Sequence, residues 1–444
     1  MKTMKKHKFN CLGLRLILLA LTLMACTLGA SGAPSLDNAT FDQKVKKTGQ
    51  FTMPGEFDPI ESVWLAFPVY NNLADHPILD VQGSMIEALT THLFVDLIVQ
   101  DEADKARAQK WISTLNAPSG KVRYHLIPHT DVWIRDMGPI SLSNGESQLK
   151  VADFGFDQWS YAKPTDPDAM TDERVDRLVA QKLDLPIVRS SLISEGGDRE
   201  FNGRGTMLTT EAVELQRNPE MTKEQITEEF KRVFNIDNII WLKQGLADDD
   251  LTYEGPLPNG NLPVMTTGGH IDEYARFADS RTILLAEVSE HERRTNPVDA
   301  ITYERMETNC EILSKAVDQD GKPFNIVRVP IAEPIELTVT EKDPIYNMLA
   351  DLEYKSGFTF RRGEPVTIEI AASYMNFLIA NEVVLVPAYW EPGRSELIKE
   401  KDARVQEIFE KVFPGRTIAR INPENVNAGG GGMHCISQQM PKSR

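Results

Sequence analysis

Near the C-terminus four consecutive glycines, Gly429 to Gly432, run through Met433 and His434 to Cys435. Glycine adds no side-chain packing and loses more conformational freedom on folding than any other residue. Such a run suits a backbone that must approach something closely or take unusual angles. Here it delivers a thiol, a candidate nucleophile. The plain alternative is a flexible loop with an incidental buried cysteine.

Three further polar, glycine-bounded segments lie between apolar runs. In Asp131-Val132-Trp133-Ile134-Arg135-Asp136-Met137-Gly138-Pro139, alternation sets Trp133 and Arg135 on one face and Ile134 and Asp136 on the other. Asp136, beside a Gly-Pro turn, is well placed to face a cleft; a surface Arg–Asp pair with a structural Trp is the alternative. In Glu195-Gly196-Gly197-Asp198 two glycines between carboxylates permit a sharp bend, and a charged turn explains it equally well. In Gly268-Gly269-His270-Ile271-Asp272-Glu273, a strand would project His270 and Asp272 to one side. Imidazole beside carboxylate suits proton transfer with cation binding. H-x-D also supplies two metal ligands, which is the competing reading.

Other chemistries lack their signatures. The chain has no H-E-x-x-H and no cysteine pair at zinc spacing, and adjacent His434 and Cys435 are poorly spaced for joint ligation. The glycine run lacks the Lys-Ser/Thr of a phosphate loop, and G-x-S-x-G is absent. The expectation is no metal and no cofactor. What remains is one thiol, one histidine and several carboxylates. A cysteine amidase or protease needs a single carboxylate to orient its base. Several carboxylates around a thiol suit a cationic electrophile, and a planar, forked guanidinium fits two of them.

The elements that must position these residues are those of an α/β chain. Short apolar strands alternate with amphipathic helices. Strands are expected over Val63–Pro68, Val95–Val99, Tyr124–Ile127, Leu149–Phe154, Ile187–Leu192, Ile239–Leu242, Thr282–Val288, Asn325–Val329, Phe377–Val386 and Thr417–Ile421. Helices are expected over Leu79–Phe94, Glu102–Leu115, Asp172–Leu183, Lys223–Phe234, Pro297–Val317 and Ser395–Val412, with Thr222 and Gln225 forming a capping box. Periodicity alone suggests a doubly wound sheet as readily as anything else. With 444 residues, 41% of them hydrophobic, the chain can bury a large core. No composition break divides it. The charged, turn-rich stretch from about 212 to 263 reads as a surface insertion. Its run Asp248-Asp249-Asp250 lacks the spaced ligands of an EF-hand and reads as a solvated loop. A net charge of −17 argues against nucleic acid and suits a cationic small ligand.

The N-terminus reads as an export signal: Lys2, Lys5, Lys6 and Lys8, then an apolar run from Leu16 to Ala25, too short to span a membrane. Leu23-Met24-Ala25-Cys26 resembles a bacterial lipobox with Cys26 as the lipidated residue; cleavage after Ala33 is the alternative. Residues 1–26 are then signal, 27–50 a tether and 51–441 a single domain. The expected location is the periplasm or an exported, membrane-anchored form. Of four cysteines, Cys11 and Cys26 fall in this leader. Cys310 reads as part of a helix, not of a disulfide framework.

W-x-R-D-x-G-P, E-G-G-D, G-H-x-D-E and G-G-G-G-x-H-C-x-x-Q-Q, in this order, resemble the agmatine deiminase and Porphyromonas-type peptidylarginine deiminase family of the guanidine-modifying (pentein) superfamily. The resemblance covers about Phe51 to Pro441. It implies a five-bladed α/β propeller of ββαβ units around a pseudo-fivefold axis. It implies Cys435 as nucleophile, Asp136 and Asp272 as guanidinium clamps, His270 as proton donor and then activator of water, and Glu195 orienting His270. Trp133 would line the substrate channel, and Asn376 is a further site-facing candidate; Asp198 falls where relatives vary. The implied reaction passes through an amidino-cysteine to a ureido product plus ammonia. Agmatine, converted to N-carbamoylputrescine for putrescine biosynthesis, is the preferred substrate. Phe154-Gly155-Phe156-Asp157-Gln158-Trp159-Ser160-Tyr161 lacks the arginines with which the peptidylarginine enzymes hold a carboxylate. It also lacks the glycines usual after the Trp in agmatine deiminases. Peptidyl-arginine is the alternative within the class, favoured by export. A non-catalytic exported binding protein for guanidines or polyamines is the alternative outside it.

Overall fold

The computed structural model describes residues 50–442 apart from 147 and 164. The leader with Cys11 and Cys26, and the tether up to residue 49, lie outside the described residues. Among those described, no helix is long and apolar enough to cross a membrane.

Five sheets share one pairing plan. In each, a short leading strand runs antiparallel to a middle strand, which runs parallel to a third. The leading, middle and third strands are Ile140–Ser143, Leu149–Gly155 and Ile187–Ile193 in one sheet. They are Arg199–Phe201, Thr206–Thr210 and Asn238–Leu242 in the next. Ala275–Phe277, Thr282–Glu287 and Asn325–Pro330 form a further one, and Leu378–Ile379, Val383–Pro387 and Thr417–Ile421 another. In the remaining sheet the C-terminal strand Gln438–Pro441 leads, pairing with Ile60–Ala66, followed by Phe94–Val99 and Val122–Leu126. The two ends of the described chain therefore meet in one sheet. A helical crossover joins each middle strand to its parallel partner, as parallel pairing requires. The repeating unit is thus ββαβ. A sixth small sheet joins Leu262–Pro263, Val366–Glu369 and Glu336–Val339.

The crossover Lys223–Phe234 shows how sequence builds such a unit. Thr222 and Gln225 close a capping box, as expected, and Asn235 ends the helix in the left-handed region at φ 51°. Ile226, Phe230, Val233 and Phe234 recur on one face and are buried. Phe234 stacks on Phe154 of the neighbouring sheet at 5.4 Å.

That packing corrects the reading of 212–263 as a surface insertion. Up to Leu242 the stretch supplies two crossover helices, Glu211–Arg217 and Lys223–Phe234, and the third strand of a sheet. Most of its charged residues lie toward solvent and masked the buried face, although Glu214 and Arg217 are themselves buried. Residue Asp249 is buried rather than part of a solvated loop. Phe377–Val386 is not one strand but a hairpin, with Ala380 N–H donating to Val383 across the turn at Asn381. The stretch around Asp136 is one helical turn, Ile134–Met137, and Ile271–Glu273 is a 3-10 turn; neither is extended.

Candidate functional site

The leading strands locate the site. Asp136 lies just ahead of Ile140–Ser143, and Glu195 ahead of Arg199–Phe201. His270 and Asp272 precede Ala275–Phe277, Asn376 precedes Leu378–Ile379, and Cys435 precedes Gln438–Pro441. Each sheet thus delivers one segment of the candidate site, and segments far apart in sequence converge.

Cys435 is buried and free of any disulfide. Its sulfur lies 3.6 Å from Asp272 Oδ2 and 3.8 Å from Glu273 Oε1, and Asn376 Nδ2 donates to it at 3.1 Å. The Asn376 carbonyl accepts from His434 N–H at 2.8 Å, fixing the backbone before the cysteine. The glycine run has the function its composition suggests: a Cβ on Gly431 would stand 2.8 Å from both the Cys435 sulfur and the Trp133 ring. Burial and the charges of Asp272, Glu273 and Asp136 push the thiol well above its ordinary range.

His270 faces the sulfur's carboxylates with one nitrogen and Glu195 with the other. Nε2 lies 3.3 Å from Glu195 Oε2, while Nδ1 has no hydrogen-bond partner and lies 4.0 Å from Asp136 Oδ2. Burial opposes the imidazolium charge, but Asp136, Glu195 and Asp272 outweigh it and push His270 up to about 10. Burial would raise the Glu195 carboxyl; Arg217, donating at 2.7 Å, and His270 instead hold it down at about 2. Gly197 allows Asp136 and His270 to approach: a Cβ there would stand 2.5 Å from His270 Nδ1 and 3.1 Å from Asp136 Oδ1.

The two expected clamps differ. Burial raises Asp136, the charge of His270 offsetting it only partly. Its Oδ1 accepts Gly197 N–H at 2.8 Å, and its Oδ2 the Trp159 indole N–H at 2.9 Å. Burial would also raise Asp272, but His434 and His270 hold it below its ordinary range. Its Oδ1 is buried without a partner. Burial and the charge of Asp272 raise Glu273 well above the usual carboxylate range. A buried thiol, an imidazole nitrogen without a partner and a carboxylate oxygen without a partner therefore lie in one buried cluster. Buried polar atoms without partners are costly in an empty protein, and a ligand bearing several N–H donors and a positive charge would pair with them.

All sequence-derived candidates inside the described residues come together, with Trp133 beside Cys435 on the side toward solvent. Trp133 packs edge-on against Trp159 at 6.3 Å, and both line a cavity of about 620 Å³. Asp131, Asp166 and Asp168 also line it, and no lysine or arginine does among the described residues. Asp198 is scaffold: it accepts from Thr209, Thr210 and the backbone N–H of Ile271, fixing the His270 turn.

Several site residues escaped the sequence reading. Glu273 stood in a quoted motif without a role. His434 was weighed only as a metal ligand. Trp159 approaches from the aromatic stretch, and Gln158, Trp159 and Ser160 all take positive φ, at 53°, 56° and 68°. Arg217 and Glu56 carry no local signal at all. Two trios bring ligand-type atoms within 4.8 Å, Glu56–Glu200–His434 and Asp272–Glu273–Cys435. In the first, both His434 nitrogens already face carboxylates, and Arg276 pairs with both glutamates. The second encloses the thiol itself.

Comparison with known proteins identifies the family. A family model described as Porphyromonas-type peptidyl-arginine deiminase matches residues 52–441. An agmatine deiminase of Pseudomonas putida is 26% identical over 407 residues, covering 88% of this chain and 95% of its own length. The solved agmatine deiminase of Enterococcus faecalis, described as catalyzing its reaction, superposes with a TM-score of 0.69 at 25% identity. It covers 89% of this chain and 96% of its own. A C. jejuni agmatine deiminase variant with substrate bound shares the fold, with a TM-score of 0.64 at 22% identity over 88% of this chain and 97% of that one. The chain belongs to the Porphyromonas-type peptidyl-arginine deiminase family, among hydrolases acting on guanidino carbon–nitrogen bonds.

Proposed function

We propose that the protein deiminates agmatine to N-carbamoylputrescine and ammonia through a covalent intermediate on Cys435. One observation carries the reading: the Cys435 sulfur is buried among Asp272, Glu273 and Asp136, beside which Asp272 Oδ1 and His270 Nδ1 have no partner. A guanidinium supplies the missing donors and charge. Asp136 and Asp272 hold its nitrogens, which sets the central carbon against the sulfur. The bound cation offsets the carboxylates that raise the thiol, so substrate binding itself favours the thiolate. Thiolate adds to the guanidinium carbon. His270, protonated through Asp136 and Glu195, gives its Nδ1 proton to the departing ammonia. The S-alkylthiouronium then takes water, whose proton His270 accepts; collapse frees Cys435 and leaves the ureido product. The sum is guanidine plus water to urea plus ammonia.

The choice of agmatine rests on the cavity beyond Trp133 and Trp159. Asp131, Asp166 and Asp168 face it without a basic residue. That field attracts a distal ammonium and repels a carboxylate. The bound substrate in the C. jejuni relative and the P. putida relative's activity point the same way. We also read the five like sheets as blades around a pseudo-fivefold axis; the delivery of one site segment by each sheet supports this. Export by the leader, with a lipid on Cys26, completes the proposal; membrane fractionation with mass analysis of the mature N-terminus tests it. The substrate is tested by kcat/KM for agmatine, free arginine and a peptide ending in arginine. Agmatine should lead. A peptide favoured by more than about tenfold, roughly 1.4 kcal/mol, makes this a peptidylarginine deiminase. Binding of all three without ammonia release makes it a carrier.

A further inference from the structure

His434, immediately before the cysteine, has no part in the reaction as drawn, yet it is one of the most constrained side chains in the molecule. It is 1% exposed. Nδ1 lies 2.7 Å from Asp272 Oδ2 and Nε2 lies 2.8 Å from Glu56 Oε1. Each ring nitrogen thus faces a carboxylate oxygen, which accepts hydrogen bonds when ionised. Glu56 is itself fixed from three other sides, by Arg135 at 2.8 Å, Arg276 at 2.6 Å and Gln439 at 2.8 Å. A row of close polar contacts thus runs Arg135/Arg276, Glu56, His434, Asp272, and ends at the Asp272 Oδ1 atom left without a partner. Asp272 Oδ2, engaged by His434, is also the carboxylate oxygen 3.6 Å from the sulfur.

We propose that His434 is a positioning residue that acts through Asp272: by donating to Oδ2 from a site anchored on Glu56, it keeps that carboxylate ionised beside the thiol and turns Oδ1 to the bound cation. This rests on the guanidinium reading above. Without the donor, Asp272 would sit buried beside Glu273, Asp136, Asp249 and Cys435, with only His270 and Arg276 to balance it. It would then hold a proton, and a protonated carboxyl is a poor clamp for a guanidinium. On the other side His434 faces Glu56 and Glu200, the latter paired with Arg276. The sign of the effect follows. The competent form has Asp272 ionised, so removing His434 moves the acid limb of clamp-dependent reactivity to higher pH.

The test reads the clamp without requiring turnover. Cys435 is alkylated by 2-chloroacetamidine, a cation shaped like the guanidinium head, and by neutral chloroacetamide, across pH, with Cys310 reaction subtracted by peptide mapping. Wild type should favour the cation. In His434→Phe, which keeps the ring and loses both donors, the cation-to-neutral ratio should fall by at least about tenfold and its acid limb should rise by about one pH unit, a tenfold change in proton affinity. His434→Gln, which keeps one neutral donor, should fall between. Because the ratio is taken within one variant, a general loss of thiol reactivity or stability cancels. An unchanged ratio and limb in both variants, with wild type still favouring the cation, overturns the positioning role alone. A wild type without preference for the cation overturns the guanidinium reading and this inference with it.

Discussion

His270 and His434 are both buried histidines flanked by two carboxylates, and they differ in one respect. His434 has both ring nitrogens bonded, to Asp272 and Glu56. His270 has Nε2 against Glu195 and leaves Nδ1 without a partner, facing Asp136 across 4.0 Å. Leaving a buried polar atom unpaired costs about 1–3 kcal/mol, and this one lies beside the proposed reaction centre. The satisfied imidazole belongs to the framework and the unsatisfied one to the chemistry. The same contrast separates Asp198, whose oxygens are all spoken for by Thr209, Thr210 and Ile271, from Asp272, whose Oδ1 is free.

The comparison breaks most sharply at His270. His270→Ala removes the proton donor and should lower kcat by about 10³-fold, within the range for general acid–base groups, with KM little changed. In wild type the same group sets a limb in the pH profile. His270 is protonated below its value of about 10, so turnover should fall as pH rises through that value, and the variant should lose that limb. A variant that keeps both rate and limb would give His270 the framework role of His434.

Arg217 tests the framework half. Its side chain and that of Glu195 are both fully buried. Arg217→Met leaves the buried Glu195 with His270 as its remaining charged partner, which should cost up to about 3–5 kcal/mol of stability, read by denaturant unfolding. Loss of less than about 1 kcal/mol would mean that water or another cation reaches Glu195.

The clamps come next in size. Asp136→Asn and Asp272→Asn keep shape and remove one charge each. A charge-assisted bond to a buried cation is worth roughly 2–5 kcal/mol, so kcat/KM should fall about 30-fold or more. If both variants match wild type, neither carboxylate touches the substrate.

The smallest effect is at the Trp159 loop. Gln158, Trp159 and Ser160 hold three successive left-handed conformations while Trp159 donates to Asp136. Such a conformation costs a non-glycine residue about 1–2 kcal/mol. Ser160→Gly should therefore raise stability by about 1 kcal/mol with activity kept; a loss of stability would show that the Ser160 hydroxyl, 3.3 Å from Asp157, outweighs the strain.

This division of roles explains how far the sequence could be read. The glycine-bounded motifs were visible because close approach needs glycine: Gly197 lets Asp136 and His270 meet, and Gly431 lets Trp133 meet Cys435. Middle and third strands such as Val383–Pro387 and Thr417–Ile421 stood out as apolar runs. The leading strands did not. Arg199–Phe201 and Ala275–Phe277 have three residues each, too short for any period, and Arg199 and Arg276 are buried in ion pairs or against rings rather than in an apolar pattern; Leu378–Ile379 merges with Val383–Pro387 into one expected strand. Yet those strands define the repeating unit, so periodicity alone pointed to a doubly wound sheet as readily. Framework partners such as Glu56 and Arg217 were invisible for a related reason. They meet the site only through contacts spanning 378 and 22 residues, to His434 and Glu195, and no local spacing encodes those.

The central claim is that substrate becomes covalently attached to Cys435. Wild type and His270→Ala are mixed with agmatine, quenched in acid during turnover and digested, and the peptide carrying Cys435 is weighed. The account predicts an added mass equal to agmatine less ammonia on that peptide, absent from the peptide carrying Cys310 and from Cys435→Ala, which should be inactive. Sustained turnover by Cys435→Ala, or ammonia release with no adduct on Cys435 at any quench time in either protein, would contradict it.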